Sequence, residues 1–446
     1  MPLLTPDEIS SNSQFPPERE RDRVNQMDQW YRRSMRNFNG LFPEDDIDNR
    51  QFRNYPQSSG KRLSPNMYRF QMEFWVDAVL SDRPIINYEG NDRTGAFIET
   101  LYPSLMDASS LVIEDLIRYG TGVFLNRHAL VVEEADARFW FPVRAAFDDN
   151  VENGDFIAYP YDTRVDNVGT PDRVVSYFFY QGNVIERHYR YEGTTIHEQL
   201  SEVARAAGFP AVVPVTLGSG FYGRSDFEDT DVYIKELFRR ESAVSEALDK
   251  QANPHLAVPE GVVTVQPDGS ITVDRNGMVI PVPEGSEAPS YVVWDPSFEA
   301  QDGAIMRAED RILQLSKISK ILVDPKLRQS APTGAALRRL AIPTVNKIRH
   351  IRGRLDEAIK LVIMGQAYLH AETGGEVFEV EPRDIKIQWP PELSGGLSDE
   401  AEALSTLVEA GILDQATAIQ LVTRASKEEA RRLAEEQEDE PGTSGT

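Results

Sequence analysis

Residues 324–340 read DPKLRQSAPTGAALRRL. After Asp324 every charge is positive: Lys326, Arg328, Arg338 and Arg339. Pro332, Thr333 and Gly334 interrupt the stretch, because proline removes a backbone donor and glycine carries a high entropic cost in a helix. Helical periodicity flanks this break on both sides. Upstream, Ile305, Ile312, Leu315, Ile318 and Leu322 recur at three- to four-residue spacing and predict a helix over 298–323. Downstream, Leu337, Leu340, Val345, Ile348, Ile351, Leu355, Ile359 and Val362 predict a longer one from Gly334 to Ala371. Pro343 should kink that helix or mark its true start.

Further upstream, Ser225 and Glu228 have capping-box spacing. Ile234, Leu237, Phe238, Val244 and Leu248 then predict a helix over 225–251, which Pro254 and Pro259 prevent from continuing. Between the two upstream helices lies VVTVQPDGSITVDRNGMVIPVPEGSEAPSYVVWDP, where β-branched runs alternate with Pro-Asp-Gly-Ser and Arg-Asn-Gly turns. Two helices holding a small β tip describe a stalk. A stalk has little core of its own, so its faces should be buried against copies of itself.

The first 16 or so residues read as a loose polar arm. Helical patterns follow over 18–36, 66–80 and 108–119. From Gly122 to about Val215 the chain turns strand-like, with a hairpin signal at Gln181-Gly182-Asn183. After the long helix, EVFEVEP and DIKIQW read as a strand pair and PPELSGG as a linker. A small helical module then ends with Gly411 as a C-cap and Ser426 with Glu429 in a second capping box. The terminal EEQEDEPGTSGT has a disordered composition.

The formal net charge of −25 argues against a general nucleic-acid binder, which carries a basic footprint. The charge is uneven, however. Between Arg307 and Arg354 twelve basic residues face three acidic ones, a local net of +9 that raises the prospect of a polyanion contact. No secretory leader is evident at MPLLTPDEISSNSQ, and no apolar run approaches the ~20 residues of a membrane span, so a soluble protein is expected. The absence of cysteine excludes disulfides, thiolate metal sites and a cysteine nucleophile.

No catalytic constellation emerges. SSGKRL lacks the glycine and the Ser/Thr that a phosphate loop needs at Tyr55 and Arg62. His128, His188, His197, His255, His350 and His370 show no ligand pairing. DDNVENGD, residues 148–155, has Val151 at a calcium-ligand position and reads as an exposed turn. The carboxylates of SDFEDTDVY overlap a helix start, where acidic side chains favour the helix dipole. A metal-dependent nucleic-acid enzyme using Asp226 and Asp231 stays as a minor alternative. No enzyme activity, cofactor or metal is expected.

The order of parts resembles that of tailed-bacteriophage portal proteins, the head-to-tail connectors. VPVTLGSGFYGRSDFEDTDVYIKELFRR is similar to a portal's approach to its first stem helix, and YVVWDPSFEAQDG to the return into the second. SAPTGAALRRL resembles the Ser/Thr-Gly-x-Ala-Leu stretch after the tunnel loop. IKIQWPPEL followed by SDEAEALSTLVEAGILDQATAIQL resembles the entry to the crown. The likeness covers roughly 213–436, and no single motif in it is as specific as their order.

The resemblance implies an α+β portal-type fold with a mixed α/β wing, a two-helix stem, a small β-rich clip, a long kinked wing helix and an α-helical crown. Its expected divisions are 1–224, arm and wing; 225–255, first stem helix; 256–297, clip; 298–323, second stem helix; and 324–333, tunnel loop. Beyond these come 334–392, long helix and strands; 393–436, crown; and 437–446, disordered tail. It further implies a dodecameric ring at the capsid vertex, assembled in the bacterial cytoplasm, through which double-stranded DNA is packaged and ejected. Implied partners are the terminase large subunit, head-completion or adaptor and tail proteins, and the major capsid and scaffolding proteins, with no membrane. Lys326 and Arg328 would touch DNA, with Lys317 and Lys320 as further candidates and Pro332 and Gly334 as loop hinges. Arg338, Arg339, Arg349 and Arg352 are expected to pair between subunits. A ring-forming virion scaffold protein that passes no DNA is the other structural alternative.

Overall fold

The computed structural model describes residues 10–35, 66–80, 82–143, 154–161, 172–180, 183–206, 211–218, 222–252, 298–324, 326–327, 339–391 and 417, together with short strands between 255 and 292. The expected crown helices and tail, the 148–153 turn and SSGKRL lie outside them.

In chain order the first elements are α1 (Arg21–Ser34), α2 (Met67–Leu80), β1 (Ile85–Tyr88), α3 (Asp92–Tyr119), β2 (Thr121–His128) and β3 (Val131–Ala135). Next come β4 (Trp140–Val143), β5 (Gly154–Tyr161), β6 (Arg173–Tyr180), β7 (Asn183–Glu192), β8 (Thr195–Ala206) and β9 (Val212–Thr216). Then α4 (Asp226–Ala252) leads to β10 (His255–Pro259), β11 (Thr264–Val265), β12 (Ile271–Thr272), β13 (Val279–Val282) and β14 (Ser290–Val292). The last are α5 (Phe298–Leu315), α6 (Lys320–Val323), α7 (Ile342–Glu372) and β15 (Ile385–Gln388). The chain divides into two compact units, one of Met1–Arg32, Phe70–Glu228 and Lys317–Thr446, the other of Arg33–Arg69 and Asp229–Ser316.

The first unit is built on the sheet β3-β2-β9, against which α3 and α7 pack. Val123, Phe124 and Leu125 are buried in succession, so both faces of β2 are covered. Leu101, Leu105, Val112 and Leu116 of α3, and Ile351, Leu355, Ile359 and Val362 of α7, supply the apolar stripes that cover them. Asn91 caps α3 by accepting from the Thr94 N–H at 2.8 Å, and Pro103 lies inside the helix. The helix therefore begins well before the expected 108 and accommodates Pro103 in its interior. A separate sheet, β4-β5-β6-β7-β8, is fully antiparallel, and Tyr180 pairs with Asn183 at the anticipated hairpin. Phe15, 1% exposed, enters its core with Val24, Phe141, Val174, Tyr189 and Ile196. The segment from residue 10 is thus anchored rather than loose, with Asn12 N–H donating to Ile196 O at 2.7 Å.

EVFEVEP forms no strand; β15 pairs instead with the distant β1, Ile85 opposite Gln388. In its place the post-helix segment is held by Phe378, which stacks on Phe97 and on His370.

A buried charge cluster joins α3 to β3. The Asp115 carboxylate accepts from Arg118 Nη1 at 3.1 Å and from the Ala137 N–H at 3.1 Å. Glu134 hydrogen-bonds to it. Burial first, and then the Asp136 charge, push Glu134 up to about 7, with Arg118 opposing; burial likewise raises Asp115.

In the second unit, α4 and α5 are linked by a hydrogen bond from Arg240 Nη1 to Gln301 Oε1 at 3.1 Å. Ile234, Leu237 and Phe238 of α4 and Ala308, Ile312 and Leu313 of α5 are buried. Between the helices, β13-β10-β14 form one small sheet and β11-β12 another, which matches the strand-rich insert read from the sequence. Val232, Leu248, Met306 and Leu315 remain exposed, Val232 at 70%.

Candidate nucleic-acid interface

The entry to α4 is shaped by a close backbone crossing. Gly120 ends α3 at φ 79°, and a side chain on Gly223 would collide with Gly120 O. Arg224 N–H donates to Leu217 O at 2.9 Å, and Ser225 Oγ donates to Arg118 O at 2.5 Å. The same Ser225 oxygen accepts from the Phe227 N–H at 3.0 Å, so it caps the helix as its residue type suggested. Gly223, the last residue of GSGFYG, is the glycine that permits this crossing.

Asp226, the first residue of α4, forms an ion pair with Lys347 in the second turn of α7. Lys347 is 9% exposed, and its ammonium lies 4.3 Å from the centre of the Trp75 ring. Burial pulls its pKa down, while the Asp226 charge opposes that shift. In the second unit Asp231 accepts from Arg33 Nη1 at 2.8 Å and Tyr68 Oη at 2.6 Å, with Lys235 Nζ 2.9 Å away. Burial and the Asp231 charge raise the Tyr68 pKa, which keeps it a donor. Each of the two aspartates considered for a metal enzyme is thus engaged by cations of its own chain. Among the described residues no group of three or more His, Cys, Asp or Glu is placed to hold a metal ion, and no helix is long and apolar enough to cross a membrane.

The expected second stem helix does not run unbroken to Val323. It ends at Leu315; Lys317 adopts φ 61°, and a short turn, α6, follows from Lys320. Ser316 Oγ donates to Ile312 O at 2.7 Å, which satisfies a terminal carbonyl. Pro343 sits in the first turn of α7 and marks its start, as proline does best where no N–H is needed.

Lys317, Lys320 and Lys326 follow α5 in the chain and are all exposed. The Lys326 N–H donates to Asp324 Oδ1 at 2.9 Å, so Asp324 holds a local turn. Arg328, Pro332, Gly334 and Arg338 lie outside the described residues. Arg339 and Arg349 are exposed. Arg352, expected to pair between subunits, is instead 5% exposed and donates within its own chain, to Pro390 O at 2.5 Å and Val79 O at 3.1 Å. Its guanidinium also lies 5.2 Å from the centre of the Trp389 ring. The sequence showed only charge at Lys347 and Arg352; their partners are remote in the chain. Thr344, which is fully buried and bonded to Lys317 and Ser319, gave no signal at all.

Comparison with known proteins bears on the same region. Chains from gene transfer agent particles are among the solved structures that this chain matches, at low identity. One, from the virion of the native particle, is 12% identical with a TM-score of 0.41, covering 80% of this chain and 89% of that one. Another, from the native neck computed with C12 symmetry, is 11% identical with a TM-score of 0.40, covering 80% and 89%. A third, from the empty-particle neck computed with C6 symmetry, is 12% identical with a TM-score of 0.40, covering 80% and 90%. The comparison with curated proteins returned no match. Residues 224–442 match the family described as phage portal protein, SPP1 Gp6-like. That region takes in α4, the strand-rich insert, α5, the basic loop and α7, and over it the chain is similar to the phage portal protein family.

Proposed function

We propose that this portal chain assembles into a closed ring at one capsid vertex and encloses a channel for double-stranded DNA during packaging and ejection. The family match over α4, α5 and α7 carries this reading. Two features support it. The helix pair α4 and α5 leaves Val232, Leu248, Met306 and Leu315 in solvent, apolar surface that neighbouring copies would cover. The exposed Lys317, Lys320 and Lys326 stand out from a chain with a net charge of −25.

That contrast suits a sliding polyanion. Each phosphate neutralised adds salt-dependent affinity, so a uniformly basic wall would hold DNA fast. A mainly acidic wall repels the duplex. A few lysines repeated around a ring touch its backbone without reading sequence. In this reading residues 324–333 form the loop towards DNA, with Arg328 beside Lys326 and Pro332 and Gly334 as its hinges. Arg338, Arg339 and Arg349 face neighbouring subunits. Residues 256–297 dock the terminase and later the neck proteins.

Replacing Lys326 and Arg328 by alanine should leave ring assembly intact, seen as closed rings in negative stain, while altering DNA packaging or retention. Rings that fail to form would make these residues structural. Unchanged packaging with intact rings would remove them from the DNA path.

A further inference from the structure

The exposed lysines adjoin a joint that the family match does not explain. Ser319 and Thr344 are 25 residues apart in sequence yet meet through one side chain. Thr344 Oγ1 accepts from the Ser319 N–H at 2.8 Å and donates to Lys317 O at 2.9 Å, and the two hydroxyls are 3.0 Å apart. Thr344 is 0% exposed, so no water replaces a bond that is lost. One donor and one acceptor on the outgoing strand are satisfied by one hydroxyl on the returning helix. Lys317 contributes its carbonyl from a left-handed conformation, which costs a residue with a Cβ and persists where surroundings hold it. One turn further along α7, Lys347 anchors the same helix to Asp226.

We propose that Thr344 is the positioning residue for the basic loop. Its hydroxyl ties the outgoing and returning ends of the span 320–343 together and sets where Lys317, Lys320 and Lys326 stand. The chain enters and leaves this span at a single neck, so loosening the neck enlarges the set of positions open to all three lysines at once. The identity of the contact as DNA rests on the proposed function; the tie itself does not.

Full-length assembled protein carrying Thr344→Val, which keeps the shape and loses the hydroxyl, tests the tie by limited trypsin digestion. Cleavage after Lys317, Lys320, Lys326, Arg328, Arg338 and Arg339 should accelerate about tenfold, because cutting follows the population of the locally opened form. Cleavage elsewhere should not change, and Thr344→Ser should stay within about twofold of wild type, since it keeps both bonds. Ser319→Pro removes the same N–H donor from the other side at φ −72°, which proline tolerates, and should reproduce the valine pattern. Equal cleavage of valine variant and wild type, a rise spread over the whole chain, or serine behaving like valine would each overturn the tie. DNA retention in the same variants separates the two claims. Loop-confined cleavage with unchanged retention keeps the tie and sinks the channel role of the loop.

Discussion

Lys347 and Arg352 belong to the same basic segment as Lys317, Lys320 and Lys326, yet the two groups are physical opposites. The first pair is buried, and its charges are met by Asp226, by backbone carbonyls and by the rings of Trp75 and Trp389. The second group stands in solvent where α5 ends. A local excess of +9 is therefore not a +9 surface. Removing a buried cation strands the groups that satisfied it, whereas removing an exposed one acts mainly on the field outside the protein.

The largest effect expected from this contrast is at Arg352. Arg352→Ala leaves two buried carbonyls without their donors and should cost about 4 kcal/mol in denaturant unfolding, and Lys347→Ala about 3 kcal/mol. Losses below about 1 kcal/mol would mean that the two sites relax or admit water, and the contrast would collapse.

A second test sharpens the meaning of burial with a charge of the other sign. Glu134 is pushed up to about 7, so between about 4.5 and 7 the native state keeps a proton that the unfolded chain has released. Stability is full below that window, falls as pH rises through it and levels off above, by on the order of 3 kcal/mol. Glu134→Gln keeps a hydrogen bond towards Asp115 without adding charge, and should flatten the fall. An unaltered slope in the variant would assign the pH dependence to Asp115, which burial also raises.

The smallest effect belongs to the exposed group. Lys317→Ala and Lys320→Ala should each keep unfolding free energy within about 0.5 kcal/mol of wild type. Either one costing as much as Lys347→Ala would place it inside the joint rather than beside it.

Legibility followed the range of the interactions. The stripes of α4, α5 and α7, the strand-rich stretches and the hairpin after Tyr180 were readable because residues three, four or two positions apart carry their signal. Pro343 marked a real helix start for an equally local reason. What failed was long-range. Where α3 begins depends on its packing against β2 and β3, which holds a helix through Pro103. Whether DIKIQW pairs with its neighbour depends on β1, nearly three hundred residues away. The break at Lys317 depends on Thr344, whose threonine is an unremarkable residue in any local window.

DPKLRQSAPTGAALRRL and its surroundings thus established the order of helix, basic loop and long helix, the acidic chain that contains it and the family likeness. All of these are properties of composition and short-range period. Which basic side chains of that region are buried and which are exposed was decided only by folding. A charge is silenced by partners within a few ångströms in space, and for Lys347 and Arg352 those partners are Asp226, Val79 and Pro390, contributed by distant parts of the chain.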